Sequence, residues 1–217
     1  MNLLIVAATE QEVSPFLRGV IEKTPAIDLL ITGVGMVSTA FKLGEKLSGN
    51  SYNAIINIGI AGSFDRSIPL GSVVRVQKDI FSELGAQDGE GFLSIKDMGF
   101  GDSEYYENAD PFFKYRTVSS LKAVKGITVN RVHGNQKSID SITSRLYPDV
   151  ESMEGAAAFY AASMLSIYSL QVRSISNYVE KRNRSNWEIE LAIKNLDNWL
   201  TEFVDEFISL SSLLKDS

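Results

Sequence analysis

The chain predicts an α/β domain with a mostly central sheet, and three observations carry that reading. Short apolar, β-branched runs bounded by turn residues recur along it. Between several of them, apolar residues return at helical spacing instead. Two of the runs end in polar side chains, at the Glu151-Ser152-Met153-Glu154 segment and at Asn177. Polar groups at the carboxyl ends of strands are where α/β sheets bind ligands, so two such ends suggest one polar pocket.

Taken in order, Leu3 to Ala8, Asp28 to Gly33, Ala54 to Gly59 and Ser72 to Gln77 read as buried strands. Gly126 to Val132 and Gln171 to Ser176 read likewise, with a shorter strand from Asp149 to Ser152. Helical patterns cover Val37 to Leu47, Gly155 to Leu165 and about Ser185 to Leu214. In the last, Trp187, Leu191, Leu196, Trp199, Leu200, Phe203 and Phe207 form a stripe that predicts core packing rather than a cofactor site. Segment 80–115, rich in Gly, Asp and aromatics, reads as an irregular excursion within a single domain spanning 1–217.

Composition narrows the function. A net charge of -6 without a basic tract argues against nucleic-acid and membrane-surface partners. With no cysteine and 1 histidine, thiolate catalysis and Cys- or multi-His metal sites are excluded. No apolar run reaches membrane-spanning length. Met1 to Val6 leads straight into a strand pattern without a basic leader, so a cytoplasmic small-molecule protein is expected.

Each motif carries two readings. Gly33-Val34-Gly35 has Ser38 where a dinucleotide fingerprint needs its third glycine, so a tight strand-to-helix turn is expected. Asn57-Ile58-Gly59-Ile60-Ala61-Gly62 ends a strand with glycines that would let a flat ligand approach the backbone. Glu12 either closes a capping box with Thr9 or activates water at a strand end. Glu154 either complements a helix dipole or faces a ligand. His133 either sits satisfied in the core or contacts a ligand, and Lys137, Arg182 and Arg184 read as surface charge or ligand contacts.

The set resembles a known family. Ala7-Ala8-Thr9-Glu10-Gln11-Glu12-Val13, Gly33-Val34-Gly35, Asn57 to Gly62, Met153-Glu154-Gly155-Ala156-Ala157 and Ser176-Asn177 occur in the order and spacing of the nucleoside phosphorylase/nucleosidase superfamily. Glu151 to Gly155, Ile175 to Val179 and the Arg182-Asn183-Arg184 stretch ending at Trp187 resemble its futalosine hydrolase branch. The 5′-methylthioadenosine/S-adenosylhomocysteine nucleosidases are the second-best match.

The resemblance implies a three-layer α/β/α sandwich with a central mixed sheet, no cofactor or metal, a purine nucleoside substrate and a homodimer or higher oligomer. It implies that Glu12 deprotonates water, that Met153 and Glu154 bind ribose, and that Asn177 faces purine N7. Ile60, Ala61 and Gly62 would wall the base and ribose, and Arg182 or Arg184 would meet a 5′ carboxylate. Adenine-type nucleosidases carry Asp where Asn177 stands. A carboxamide donates hydrogen bonds but is no acid, which favours a 6-oxopurine over adenine. A stranded buried donor costs about 1–3 kcal/mol. Bacterial-type phosphorylases carry Arg and Ser where Asn57 and Ile60 stand, which favours water over phosphate as nucleophile. A non-catalytic nucleoside-binding protein is the reading from another class.

Overall fold

The structure, a computed structural model, describes residues 1–213. Its elements in chain order are β1 (Leu3–Ala7), α1 (Pro15–Glu22), β2 (Ile27–Ile31), α2 (Met36–Ser48) and β3 (Ala54–Ser63). Then follow β4 (Val73–Phe81), β5 (Gly85–Asp88), β6 (Gly91–Ser94), β7 (Glu104–Tyr106) and α3 (Arg116–Ser119). The rest are β8 (Lys122–Thr128), α4 (Gln136–Leu146), β9 (Val150–Ser152), α5 (Gly155–Met164), β10 (Tyr168–Tyr178) and α6 (Ile189–Leu213).

The expected mixed sheet is present. β2, β1, β3 and β10 run parallel, β4 is antiparallel to β10, and β8 and β9 follow parallel to β4. β9 then pairs antiparallel with the end of β3, so the strands from β3 to β9 close into a ring. That closure brings the ends of β3, β9 and β10 together, and with them the segments that carry Gly62, Glu151 and Asn177.

One face of the sheet packs on α1 and α6. Leu196, Trp199, Leu200, Phe203 and Phe207 of α6 lie in one apolar cluster with Leu3, Ile5, Ile56, Ile58 and Phe112. The other face packs on α2 and α5 through Leu43, Leu47, Ala158 and Ala162. The α6 stripe is therefore core, with two exceptions. Leu191 is exposed, and Trp187 precedes the helix and lines a cavity. The helix starts at Ile189 because Arg184–Asn186 forms a 3-10 turn capped by Asn183; its expected end, Leu214, lies outside the described residues.

Several boundaries differ from the sequence reading for identifiable reasons. β4 runs on to Phe81, since Lys78 pairs with Glu104 of β7 at 2.9 Å and Asp79 is taken into a buried network. β8 begins earlier, at Lys122, and ends at Thr128, because its partner β9 ends at Ser152. Segment 80–115 is more ordered than expected: it holds the β5–β6 hairpin, and Phe112 and Tyr115 pack under α6. α1 and α4, absent from the sequence reading, begin after Ser14 and Asn135, whose side chains accept from the Leu17 and Lys137 backbone N–H groups.

A polar network lies beneath the start of α5. Asp79 accepts from Thr128 Oγ1 at 3.0 Å and from Gln171 Nε2 at 2.9 Å, while Thr128 Oγ1 accepts from the Ala156 backbone N–H at 2.7 Å. Gly155 fits there because a Cβ would stand 2.2 Å from Asp79 Oδ2. Burial pushes the Asp79 carboxyl from 3.8 up to about 6. A raised carboxyl pKa favours folding below the unfolded value, and the advantage is lost as pH rises through the folded one. Asp79 is thus expected to remove about 3 kcal/mol of stability between roughly pH 4 and pH 6. Asp79→Asn is expected to flatten that slope, read by urea unfolding across the window. A residual slope is expected from Glu12, which shifts in the same direction.

Candidate active site

Above the sheet ends lies a cavity of about 320 Å³ lined by residues from the ends of β1, β3, β9 and β10. That is within the size range of small-molecule sites. Glu12, Ile60, Ala61, Gly62, Met153, Glu154 and Asn177 all line it. Among the described residues no Lys or Arg does.

Glu12 makes the contacts of the capping reading and also lines the cavity. Oε2 accepts from the backbone N–H groups of Ala8 (3.0 Å) and Thr9 (2.9 Å), which is the capping arrangement. Oε1 accepts weakly from Ile60 N–H at 3.3 Å. The carboxylate is buried, and desolvation raises its pKa; the Thr9 bond and the nearby Arg173 charge pull it back, and Glu154 adds to the rise. A carboxylate held this way is oriented, basic and beside a cavity, which is what water activation requires.

Glu154 caps α5 and reaches across to α2. Its Oε1 accepts from the Gly35 backbone N–H at 2.9 Å, and Gly35 adopts φ 101, a conformation that glycine permits. The Gly33–Gly35 turn is thus a tight strand-to-helix connection whose amide orients a carboxylate.

Asn177 is aimed by a β-bulge. Between Ile175 and Asn177 the register with β3 shifts by one residue, so Ser176 is extra and Asn177 pairs with Gly62. Its Oδ1 accepts from Ser176 Oγ at 2.9 Å and its Nδ2 donates to Tyr178 O at 3.1 Å. One amide hydrogen remains for a ligand.

The β3 glycines serve these side chains. A Cβ on Gly59 would stand 2.9 Å from Glu12 Oε1, and one on Gly62 would stand 3.2 Å from Asn177 Nδ2. The space expected for a flat ligand is, on that side of the strand, filled by the site's own polar groups.

Arg182 and Arg184 are not among the cavity's lining residues. Both are exposed, with their guanidinium carbons 5.2 Å and 5.7 Å from the centroid of the Trp187 ring, which does line the cavity.

Sequence reasoning passed over two groups and left the role of a third, which includes His133, open. Arg173 is 0% exposed and lies beneath the site, donating to Asn57 O at 3.2 Å, Val172 O at 3.1 Å and Asn57 Oδ1. Its charge acts on Glu12, Glu154 and Asp79. Asp79 is the second, and the His133–Glu151 pair is the third, with Nδ1 and Oε2 2.6 Å apart. The available signal was a charged residue inside a β-branched run, as in Val172-Arg173-Ser174-Ile175, since such residues are rarely buried without a partner.

The sequence and the fold match a described class of proteins. The phosphorylase superfamily model matches residues 7–209, and the chain belongs to that superfamily. Within it, the chain is similar to futalosine hydrolases. It is 31% identical to that of Streptomyces coelicolor over 176 residues, which is 78% of this chain and 74% of the relative. It is 26% identical to that of Thermus thermophilus over 77% of this chain and 76% of the relative. Among solved structures, the Helicobacter pylori futalosine hydrolase superposes with a TM-score of 0.77 at 13% identity, covering 94% of this chain and 97% of that one. A Streptococcus pneumoniae MTA/SAH nucleosidase in complex with 8-aminoadenine gives 0.77 at 18% identity, over 94% and 99%.

Proposed function

We propose that the chain hydrolyses the N-glycosidic bond of futalosine, releasing hypoxanthine and dehypoxanthine futalosine in menaquinone biosynthesis. The observation that carries this is the pairing of a buried, backbone-oriented Glu12 with Asn177 in one cavity, in a chain 31% identical to a futalosine hydrolase.

N-glycoside cleavage leaves positive charge on the sugar and negative charge on the base. Glu154 stabilises the first and accepts from the ribose hydroxyls beside Met153. Glu12 takes the proton of the attacking water. Asn177 donates to N7, with Ile60, Ala61 and Gly62 against the base and ribose. The 5′ carboxylate meets Arg182 or Arg184 beside Trp187.

Water rather than phosphate is supported by two features. The cavity lining lacks Lys and Arg among the described residues. Asn57, at the place of the phosphorylase Arg, is 1% exposed and spends its amide on Val6 O and Arg173. A homodimer in the cytoplasm completes the reading. Val37 (77% exposed) and Phe100 (79%) line one surface groove, and Phe41 (68%) stands one turn along α2 from Val37; exposed apolar groups of this kind favour a second copy.

The test is base release from futalosine, methylthioadenosine and inosine, with and without phosphate. Hypoxanthine from futalosine, independent of phosphate, is expected; adenine from methylthioadenosine or phosphate dependence would overturn the reading. Asn177→Asp is expected to shift the ratio of hypoxanthine to adenine release roughly ten- to hundred-fold toward adenine, the equivalent of a mismatched buried hydrogen bond.

A further inference from the structure

The polar groups assigned so far leave one pair in the cavity unused. His133 and Glu151 both line it. Glu151 is 3% exposed and holds His133 at two points: Oε1 accepts from the His133 backbone N–H at 3.0 Å, and Oε2 lies 2.6 Å from Nδ1. The ring packs edge-on against Phe64, 6.1 Å between centroids. A carboxylate only accepts when ionised, so Nδ1 carries a proton; Nε2 is then an acceptor in the neutral ring and a donor when the ring carries both protons. Nε2 has no partner among the described residues. Glu151 lies next to Asn177, because both stand against Gly62, with Asn177 Nδ2 and Glu151 Cγ 3.2 Å and 3.5 Å from where its Cβ would be.

We propose that His133, fixed by Glu151 and carrying protons on both ring nitrogens, donates from Nε2–H to the acceptor edge of a 6-oxopurine and stabilises the departing base. The inference rests on the hydrolase reading above. Asn177 has one amide hydrogen left and no proton to give, whereas the charge on hypoxanthine spreads over ring nitrogens and O6 as the C1′–N9 bond breaks. The electron pair goes to the base, water closes on C1′ and loses its proton to Glu12, and His133 keeps its own. A donor at this edge faces O6 of hypoxanthine favourably and would oppose the amino group of adenine. Glu151 is the positioning residue. The other charged groups around the ring are Glu12 and Glu154 in the cavity and Glu83, Arg131, Lys137 and Arg182 in the adjoining cleft.

The experiment measures kcat and KM for futalosine, and the ratio of kcat/KM for futalosine to that for its 6-amino analogue, in wild type, His133→Gln and Glu151→Gln. Wild-type release of hypoxanthine establishes the underlying reading; its absence would sink that reading, not this pair. His133→Gln is expected to lower kcat about 10²-fold with KM little changed, the cost of one preorganised donor, and to lower the preference for futalosine. Glu151→Gln is expected to lower kcat and the same ratio in parallel, with KM little changed, which tests the pair even if His133→Gln does not fold. Rates within two-fold of wild type together with the same substrate ratio would overturn the proposal.

Discussion

Arg173→Met is expected to destabilise the protein by about 3–5 kcal/mol, read as a fall in Tm and in the urea midpoint. The guanidinium is wholly buried and bonded to neutral oxygens of Asn57 and Val172. Among the described residues no carboxylate lies within ion-pair distance of it. Burial lowers its pKa, while the fields of Glu154, Glu12 and Asp79 oppose that shift. Methionine fills the stem but leaves the Asn57 oxygens unpaired, at about 1–3 kcal/mol for each stranded group. It also removes the one buried positive charge that favours ionised Glu12, so Glu12 would gain a proton at higher pH. The variant is expected to lose activity in the acid range first. An unchanged Tm together with an unchanged low-pH limb would contradict this account.

Glu12→Gln is expected to lower kcat about 10²–10⁴-fold, the usual contribution of a positioned base. The amide oxygen of glutamine can still accept from Ala8 and Thr9, so the local fold should persist. The wild-type carboxyl is raised by desolvation, so ionising it opposes folding at pH above its shifted pKa. The variant is therefore expected to match or exceed wild-type Tm at pH 8 while losing catalysis. The low-pH limb of the wild-type profile, set by protonation of Glu12, is expected to lie above the range of an ordinary glutamate and to vanish in the variant. A variant that loses both stability and activity would mean that Glu12 serves the Ala8–Glu12 turn more than the chemistry.

Much of this was readable residue by residue. The central strands came from uninterrupted apolar runs, because a strand buried on both faces has no other composition available. α6 came from its stripe, since Leu196, Leu200, Phe203 and Phe207 return at helical spacing. β5 and β6 escaped notice because exposed hairpin strands carry little apolar alternation; Gly85–Asp88 is exposed throughout. The ends of β4 and β10 escaped because Lys78, Asp79 and Asn177 interrupt the pattern for reasons that lie elsewhere in the fold. Trp187 fits the helical stripe by spacing, yet the turn capped by Asn183 sets it against the cavity instead.

By itself, then, the sequence determined the α/β class and the main strands and singled out Glu12, Glu154 and Asn177 as candidates, because local pattern and residue chemistry are properties of short segments. Only the tertiary structure decided that β9 closes on β3 and that a bulge at Ser176 turns Asn177 toward Gly62. It alone placed Arg173 beneath two carboxylates and His133 against Glu151. Those pairings join residues far apart in the chain, and a buried charge becomes interpretable only when the groups that compensate it are known.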